Sequence, residues 1–409
     1  MHDNASMEAA LDIPDVALAH HWLMSMRGGE KTLAALAEMF PEAPIYALLA
    51  RLEQLDEGLR RRELRLSWLQ RFNWVPDLQR KALPWLASAA RSLDARLFDA
   101  VICSDAAIVK AIRTRGDALK LCYCHSPMRY VWDLYDQYYR DAGLAGKLGL
   151  RLFADRLREA DRRAADSVTA FVANSRAVAE RIRRNYGRAS VVIPPPVDTD
   201  FPDEELPADD FYLVVGECVG YKRHDLAIDA CSRLNRRLVV IGTGPNLAEY
   251  RAGAGANVQM LGWQSDAVVR EHMRRCRALL FCGEEDFGLV PVEAQAAGRP
   301  VIAYRAGGAT ETVIDGGTGL FFDVQSVGAV IEGIERFEAT TPLWPAARIR
   351  EHARQFGKQA FVRRFTSFYE WCVRQWREGG PTAVREAVEG GDFGECLMSN
   401  VEDPPRRDS

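Results

Sequence analysis

The feature that most narrows what this chain can fold into is a rhythm. Short apolar runs alternate with stretches of helical period, and they do so in two series. VALAHHWL (16–23) reads as a buried strand, after which Leu33, Leu36, Ala37 and Phe40 fall on one helical face. APIYALLA (43–50), FDAVICSDA (98–106), LKLCYCHS (119–126) and SVTAFVANS (167–175) read as further strands with helix-like stretches between them. Such alternation predicts an α/β class with parallel sheets and helices on both faces. VVIPPPVDTDFPDEELPADD (191–210), rich in Pro and acids, breaks the pattern. A second series then starts at FYLVVGECV (211–219) and continues through LVVIGTGP, VQMLGW, ALLFCGEE, PVIAYRAGG and GLFFDV.

A chain of 409 residues is too long for one ordinary core, and the two series give the two domains that length predicts. The expected organisation is a disordered extension over 1–14, a Rossmann-like domain over 15–192, a linker over 193–210 and a second Rossmann-like domain over 211–345. Helices over 346–378 pack back on the body, QAFVRRFTSFYEWCVRQWRE (359–378) being the last, and 379–409 is a disordered tail. The two domains are expected to face a central cleft. In such sheets ligands bind at the carboxyl ends of the strands, so strand-end loops are where chemistry is sought.

Net charge is −4, so no global field recruits nucleic acid. The nine Cys are irregularly spaced without a CxxC. Cys122-x-Cys124-His125 lacks a second half with ligand spacing and reads as buried strand, so no metal site is expected there. The beginning MHDNASMEAALDIPD has neither a basic nor an apolar segment of a signal peptide, and no run of about 18 apolar residues occurs. A cytoplasmic location is the expectation.

Four stretches carry candidate chemistry. After the first strand, Gly28 and Gly29 open a helix whose start suits a diphosphate, or they serve a turn that needs glycine for its conformation. In CYCHSPMRYVWDLYDQYY (122–139), His125 stands just past a strand, where it can meet a sugar or developing charge, or be a core histidine. Tyr130, Trp132, Tyr135, Tyr138 and Tyr139 beside it read as an aromatic packing cluster at helical spacing. In GECVGYKRHDLAIDA (216–230), Lys222 and Arg223 can neutralise a diphosphate, or form a solvated pair at a helix start. In GEEDFGLVPVEAQAAGRPV (283–301), Glu285 leaves a strand and Glu293 lies in the first turns of a helix, with the amides of Phe287, Gly288, Leu289 and Val290 nearby. Two carboxylates there can accept from sugar hydroxyls while the amides hold phosphate. As dipole partners of a helix start, either acid singly is ordinary.

Glu285-x7-Glu293 with Phe287-Gly288 and the later Ala297-Gly298-Arg299-Pro300-Val301 resembles the signature of retaining glycosyltransferases of family 4, which have the GT-B fold. RGGEK (27–31), CHSPMRYVWDLY (124–135), VANSRAVAERI with VVIPPPVDTD (172–200), and YKRHDLAIDA (221–230) resemble bacterial O-antigen and exopolysaccharide mannosyltransferases. The resemblance covers about residues 15–370. It implies that the first domain holds the acceptor and the second a nucleotide sugar. It implies that Glu293 binds the donor ribose and that Glu285 holds the transferred sugar beside the amides of Phe287 to Val290. Lys222, with Arg223, would clamp the diphosphate, which Gly28-Gly29 approaches, and His125 would lie at the reacting sugar. His125, Glu285 and Lys222 are thus the catalytic candidates. One departure stands out: where many members carry an Arg near the donor phosphate, this chain has Glu217, which is expected to point away.

The function so implied is retaining transfer of a hexose, mannose from GDP-mannose first, to a polyprenyl-diphosphate-linked oligosaccharide, with no required metal or other cofactor. A UDP-sugar donor is the alternative within the class. A sugar-nucleotide epimerase or hydrolase, or a weakly catalytic nucleotide-sugar-binding subunit, are alternatives outside it. LRRRELRLSWLQRFNWVPDLQRKALPWL (59–86), with Trp68, Phe72, Trp74 and Trp85, and GLAGKLGLRLFADRLREADRR (143–163) are basic and carry apolar residues. Both suit peripheral contact with an anionic membrane surface, or are solvated faces over core aromatics.

Overall fold

The computed structural model describes residues 15–75, 78–340 and 344–393. The extension expected over 1–14 lies outside the described residues. The chain forms two units, residues up to Pro195 together with those from Phe361 onward, and residues Pro196–Ala360.

The first unit is built on seven parallel strands. They are β1 (Val16–Leu23), β2 (Ile45–Ala50), β3 (Leu64–Leu66), β4 (Ala100–Asp105), β5 (Leu119–Cys124), β6 (Ala170–Ala173) and β7 (Ser190–Val192), in the order β3-β2-β1-β4-β5-β6-β7. Every residue of β2, β4 and β5 is buried, as a parallel sheet covered on both faces requires. Leu18 and Leu23 of β1, Ile45 of β2 and Ile102 of β4 meet one helix layer through Leu33 and Leu36 of the Gly28–Met39 helix. The same layer contains Phe361, Phe365, Phe368 and Tyr369 of the C-terminal helix Lys358–Gly390, so the end of the chain completes the first unit's core. On the other face Val101 and Cys103 pack with Ala154 and Leu157 of the Leu144–Asp166 helix.

The second unit has six parallel strands, β8 (Tyr212–Val215), β9 (Leu238–Ile241), β10 (Val258–Gly262), β11 (Leu279–Phe281), β12 (Val301–Tyr304) and β13 (Gly319–Phe322), in the order β10-β9-β8-β11-β12-β13. In each sheet the strand order reverses once, between β1 and β4 in the first and between β8 and β11 in the second. The crevice at the carboxyl ends of those two strands is where an open α/β sheet binds its ligand.

Three boundaries differ from expectation. The segment read as a linker over 193–210 is anchored from Val197 onward: Val197 and Phe201 are buried in the second unit, and the Arg270 guanidinium stacks 3.9 Å from the Phe201 ring centroid. Proline and acid content hid two anchoring apolar residues. Of the helices read over 346–378, Ala346–Arg354 belongs to the second unit, with Ala353 and Phe356 in its core. The tail read as disordered from 379 is structured as far as 393: the helix kinks at Gly379-Gly380, restarts with Pro381 in its new first turn, and buries Val384, Ala387 and Val388. An ion pair of 2.7 Å between Arg188 and Glu389 ties it down. The rest of that tail, 394–409, lies outside the described residues.

Candidate functional site

Each unit carries a cluster at its own strand-order reversal. In the second unit, β8 ends in a loop that passes through one 3-10 turn, Gly220–Lys222, into the His224–Leu234 helix. The loop leaving β11 runs beside it. A Cβ on Gly283 would lie 2.6 Å from the Lys222 Cα and 2.8 Å from the Tyr221 carbonyl oxygen, so only glycine permits that approach. The approach brings Lys222 Nζ to 2.9 Å from Glu285 Oε1. The side chains are only 14% and 21% exposed, so the two charges share a poorly hydrated space. Burial lowers the Lys222 pKa, but the Glu285 carboxylate, with Tyr221 and Glu217 adding to it, more than offsets this and holds the ammonium above its ordinary range. Glu217 was expected to point away, yet its charge reaches Lys222.

A third loop fixes Glu285 from behind. The Gly308 amide donates to the Glu285 carbonyl oxygen at 2.9 Å, and a Cβ on Gly308 would sit 2.2 Å from the Phe287 Cα. Gly288 caps the Leu289–Ala296 helix in the left-handed region. Leu289 and Val290 therefore open a helix, where N–H groups lack a carbonyl four residues back. Pro291 stands in that first turn, and Glu293 is half-buried one turn in. Phe287 is buried in the unit's core, so it offers its backbone to the loop while its ring packs on Phe356 at 5.7 Å. Arg223 departs from expectation. Its backbone is left-handed, and its guanidinium pairs with Asp225 at 3.0 Å rather than joining Lys222. An acid two residues on, in the first helical turn, claims it locally.

In the first unit β1, β4 and β5 end together. Ser104 Oγ, fully buried on β4, lies 3.0 Å from His20 Nδ1 and 2.8 Å from His125 Nε2. His21 Nδ1 lies 3.3 Å from the Ser104 carbonyl oxygen. Burial, with the neighbouring His21, lowers the His125 pKa to about 3, and burial likewise lowers those of His20 and His21. All three rings are neutral near pH 7. Gly29 faces them: a Cβ there would be 3.4 Å from His20 Cε1 and 3.6 Å from His125 Nε2, ordinary contact distances. Neither Gly28 nor Gly29 has positive φ. The turn thus does not need glycine for its conformation, which removes one of the two readings of this loop. The Gly28–Met39 helix is held at its start by Glu30, which accepts from the Arg27 amide at 3.2 Å and whose carboxyl burial pushes up to about 7.

The aromatics after His125 are mostly packing residues, as expected. Tyr130, Trp132 and Tyr135 lie against the first unit's core, and Trp132 Nε1 donates to Asp161 Oδ2 at 2.8 Å. Asp161 also pairs with the buried Lys110 at 2.6 Å, and Lys110 in turn meets Asp105 at 3.1 Å, so this loop is bolted to β4. Cys122 and Cys124 are buried free thiols on β5, as read.

Sequence comparison finds a family model for each half of the chain. The model for Glycosyltransferase Family 4 matches residues 26–201, and that for Glycosyl transferases group 1 matches residues 197–361. Between them they cover residues 26–361, which include the cluster residues named above except His20 and His21.

The chain has the GT-B fold and matches a glycosyltransferase family model along each half.

Among relatives of this GT-B protein, an uncharacterized glycosyltransferase of Methanocaldococcus jannaschii is 37% identical over 115 residues, 27% of this chain and 33% of that one. A GDP-mannose-dependent alpha-(1-6)-phosphatidylinositol monomannoside mannosyltransferase of Mycolicibacterium smegmatis is 32% identical over 202 residues, 42% of this chain and 52% of that one. The chain thus spans between a third and about half the length of these curated relatives. A crystal structure of Anabaena HepE in complex with UDP-glucose superposes with a TM-score of 0.61 at 17% identity, over 87% of this chain and 99% of that one. At that identity the likeness shows the fold.

Sequence reasoning missed four participants in these clusters: Ser104, His20, His21 and Gly308. The paired His at the end of VALAHHWL was a usable signal, since two imidazoles on a buried strand need polar partners. Ser104 gave none, because a serine at a strand end is ordinary.

Proposed function

We propose that this protein is a retaining glycosyltransferase that moves a hexose from a nucleoside-diphosphate sugar to a lipid-linked oligosaccharide in surface polysaccharide synthesis. The observation that carries the reading is the Lys222–Glu285 pair of 2.9 Å placed beside the start of the Leu289–Ala296 helix on a GT-B frame. A cation, a hydroxyl-accepting carboxylate and a helix start then serve one donor. Lys222 and the amides of Leu289 and Val290 stabilise the charge that builds on the departing diphosphate. Glu285 holds the hydroxyls of the transferred sugar, Glu293 the ribose, and His125 serves the reacting sugar. The acceptor hydroxyl attacks on the face the diphosphate leaves, so configuration is retained. Charge stabilisation comes from side chains and amides, with no metal in the scheme.

GDP-mannose is the first donor to test, supported by the GDP-mannose dependence of the Mycolicibacterium smegmatis relative. A UDP-sugar is the second, supported by the Anabaena neighbour solved with UDP-glucose. The acceptor reading places the protein on the inner face of the cytoplasmic membrane. Its support is a ridge of Leu144, Leu148 and Leu152 exposed along one helix, with Lys147 and Arg151 alongside. Among the described residues no helix is long and apolar enough to cross a membrane.

The test is incubation of the purified chain with a panel of nucleotide sugars and polyprenyl-diphosphate-linked oligosaccharides, read by mass spectrometry. An acceptor longer by one hexose, with α linkage from an α donor, supports the reading. Free sugar or an epimerised donor without an acceptor would replace it with hydrolase or epimerase chemistry. Donor binding without any product would reduce the protein to a binding subunit.

A further inference from the structure

The hydroxyl of Ser104 touches two imidazoles, at 3.0 Å from His20 Nδ1 and 2.8 Å from His125 Nε2. It owns one proton, and each neutral imidazole bears one N–H and one bare nitrogen. The burial of the cluster holds the rings neutral. With neither ring donating, one bare nitrogen would face the serine lone pairs and the His20 proton would sit on the buried Nε2; three other proton arrangements can be written. If both rings donate to Ser104 Oγ, the hydroxyl proton has no acceptor, since among the described residues its oxygen has no third partner. If His125 Nε2 donates to Ser104 and Ser104 donates to His20 Nδ1, the His20 proton sits on Nε2. That atom is buried with no partner among the described residues, and an orphaned buried N–H is among the rarest features of folded chains. The third arrangement leaves no buried N–H orphaned. His20 Nδ1 donates to Ser104, Ser104 donates to His125 Nε2, and His125 carries its proton on Nδ1. His21 stands outside this chain of bonds, because its Nδ1 faces the Ser104 carbonyl oxygen.

We propose that Ser104, oriented by His20, is a positioning residue that fixes His125 as the Nδ1–H tautomer. His125 therefore offers a ligand an N–H donor and not a proton acceptor. Its Nε2 is occupied by the serine, and its Nδ1 makes no bond among the described residues and is not a buried unpartnered atom. Under the transfer reading, on which this consequence rests, His125 donates to an oxygen of the sugar and does not act as a general base. The hydroxyl of the acceptor must lose its proton elsewhere.

The test is nitrogen NMR of the full chain labelled at histidine, at neutral pH, with the His125 resonances assigned by His125→Gln. The expected pattern for His125 is a protonated Nδ1 and a bare Nε2. Ser104→Ala should shift His125 to the other tautomer or a mixture, while Ser104→Thr retains the original pattern. If Ser104→Ala does not fold, His20→Leu makes the same comparison, because it removes the donor that orients the hydroxyl, and His20→Asn restores an N–H near the Nδ1 position. A bare Nδ1 in the parent protein, or an unchanged pattern in the folded variants, overturns the proposal. This readout needs no turnover, so a chain inactive in transfer would sink the transfer reading and leave the tautomer assignment standing. Where transfer is seen, Ser104→Ala should lower kcat about tenfold, the worth of one ordinary hydrogen bond, with donor KM little changed and recovery in Ser104→Thr.

Discussion

Lys222 and Glu285 neutralise each other at 2.9 Å, so the residue proposed for the diphosphate and the residue proposed for the sugar form one unit. Removing either strips its partner of a counter-charge in a space where both are mostly buried. Lys222→Ala and Glu285→Ala should each cost about 1–3 kcal/mol of stability in urea titration. The double variant should cost less than their sum, with a coupling of about 1–2 kcal/mol. Additive losses would show that the pair is not energetically linked.

Both single variants should also lose transfer, by about 100-fold or more in kcat, while circular dichroism shows an intact fold. Parent-like turnover by either purified variant would refute the assigned roles. Arg223→Ala should behave differently. Its guanidinium is held by Asp225, so kcat should change by less than about threefold.

Gly29 gives a cleaner separation of fold from function. The protein around it leaves room for a methyl group at ordinary contact distance, and its backbone has no left-handed requirement. Gly29→Ala should leave the melting temperature within a degree or two of the parent's. Donor affinity should fall about tenfold if a phosphate or sugar approaches this backbone as closely as proposed. Unchanged affinity in isothermal titration would remove the Gly28-Gly29 loop from the donor site.

Acid should unfold this protein early. Burial holds His125 and His224 at about 3, against an ordinary value of 6.5, and also lowers His20 and His21. Below pH 6.5 the unfolded chain takes up protons that the folded chain refuses, so stability is intact above that pH and is lost as pH falls toward 3. The urea midpoint should therefore drop steadily from pH 7 to pH 4.5. His224→Gln should flatten that slope, and a slope identical to the parent's would show that this ring does not titrate on unfolding.

The ridge of Leu144, Leu148 and Leu152, which are 90%, 59% and 56% exposed, gives a stability-neutral test of membrane contact. Changing all three to Ser should reduce co-sedimentation with anionic vesicles about 100-fold or more and leave the melting temperature unchanged. No binding by the parent protein at low salt would remove the membrane from the proposal.

The strands were readable because burial on both faces writes itself as a run of apolar residues. β1 was read to its exact residues, ten more strands were found within four residues of their ends, and β7 was not read. β3 was not seen: three half-buried residues on a sheet edge, LRL, leave no apolar run inside a basic stretch. The Pro381 helix was missed because glycines and a proline read as a terminus when they were a kink. At the site, the charged and glycine residues of the second unit stood out through their order along the chain. Ser104 and His20 did not, since their relation to His125 is made by three strands lying side by side, 84 and 21 residues apart in sequence.

The helix that starts at Lys358 has a consequence for how the protein is made. Phe361, Phe365, Phe368 and Tyr369 lie in the same core layer as Leu18, Leu33 and Ile45. As the chain leaves the ribosome, the second unit is complete in sequence by Ala360, while the first still lacks this part of its core. The half synthesised first is therefore the half that finishes folding last, and until then its sheet must wait with part of an apolar face uncovered.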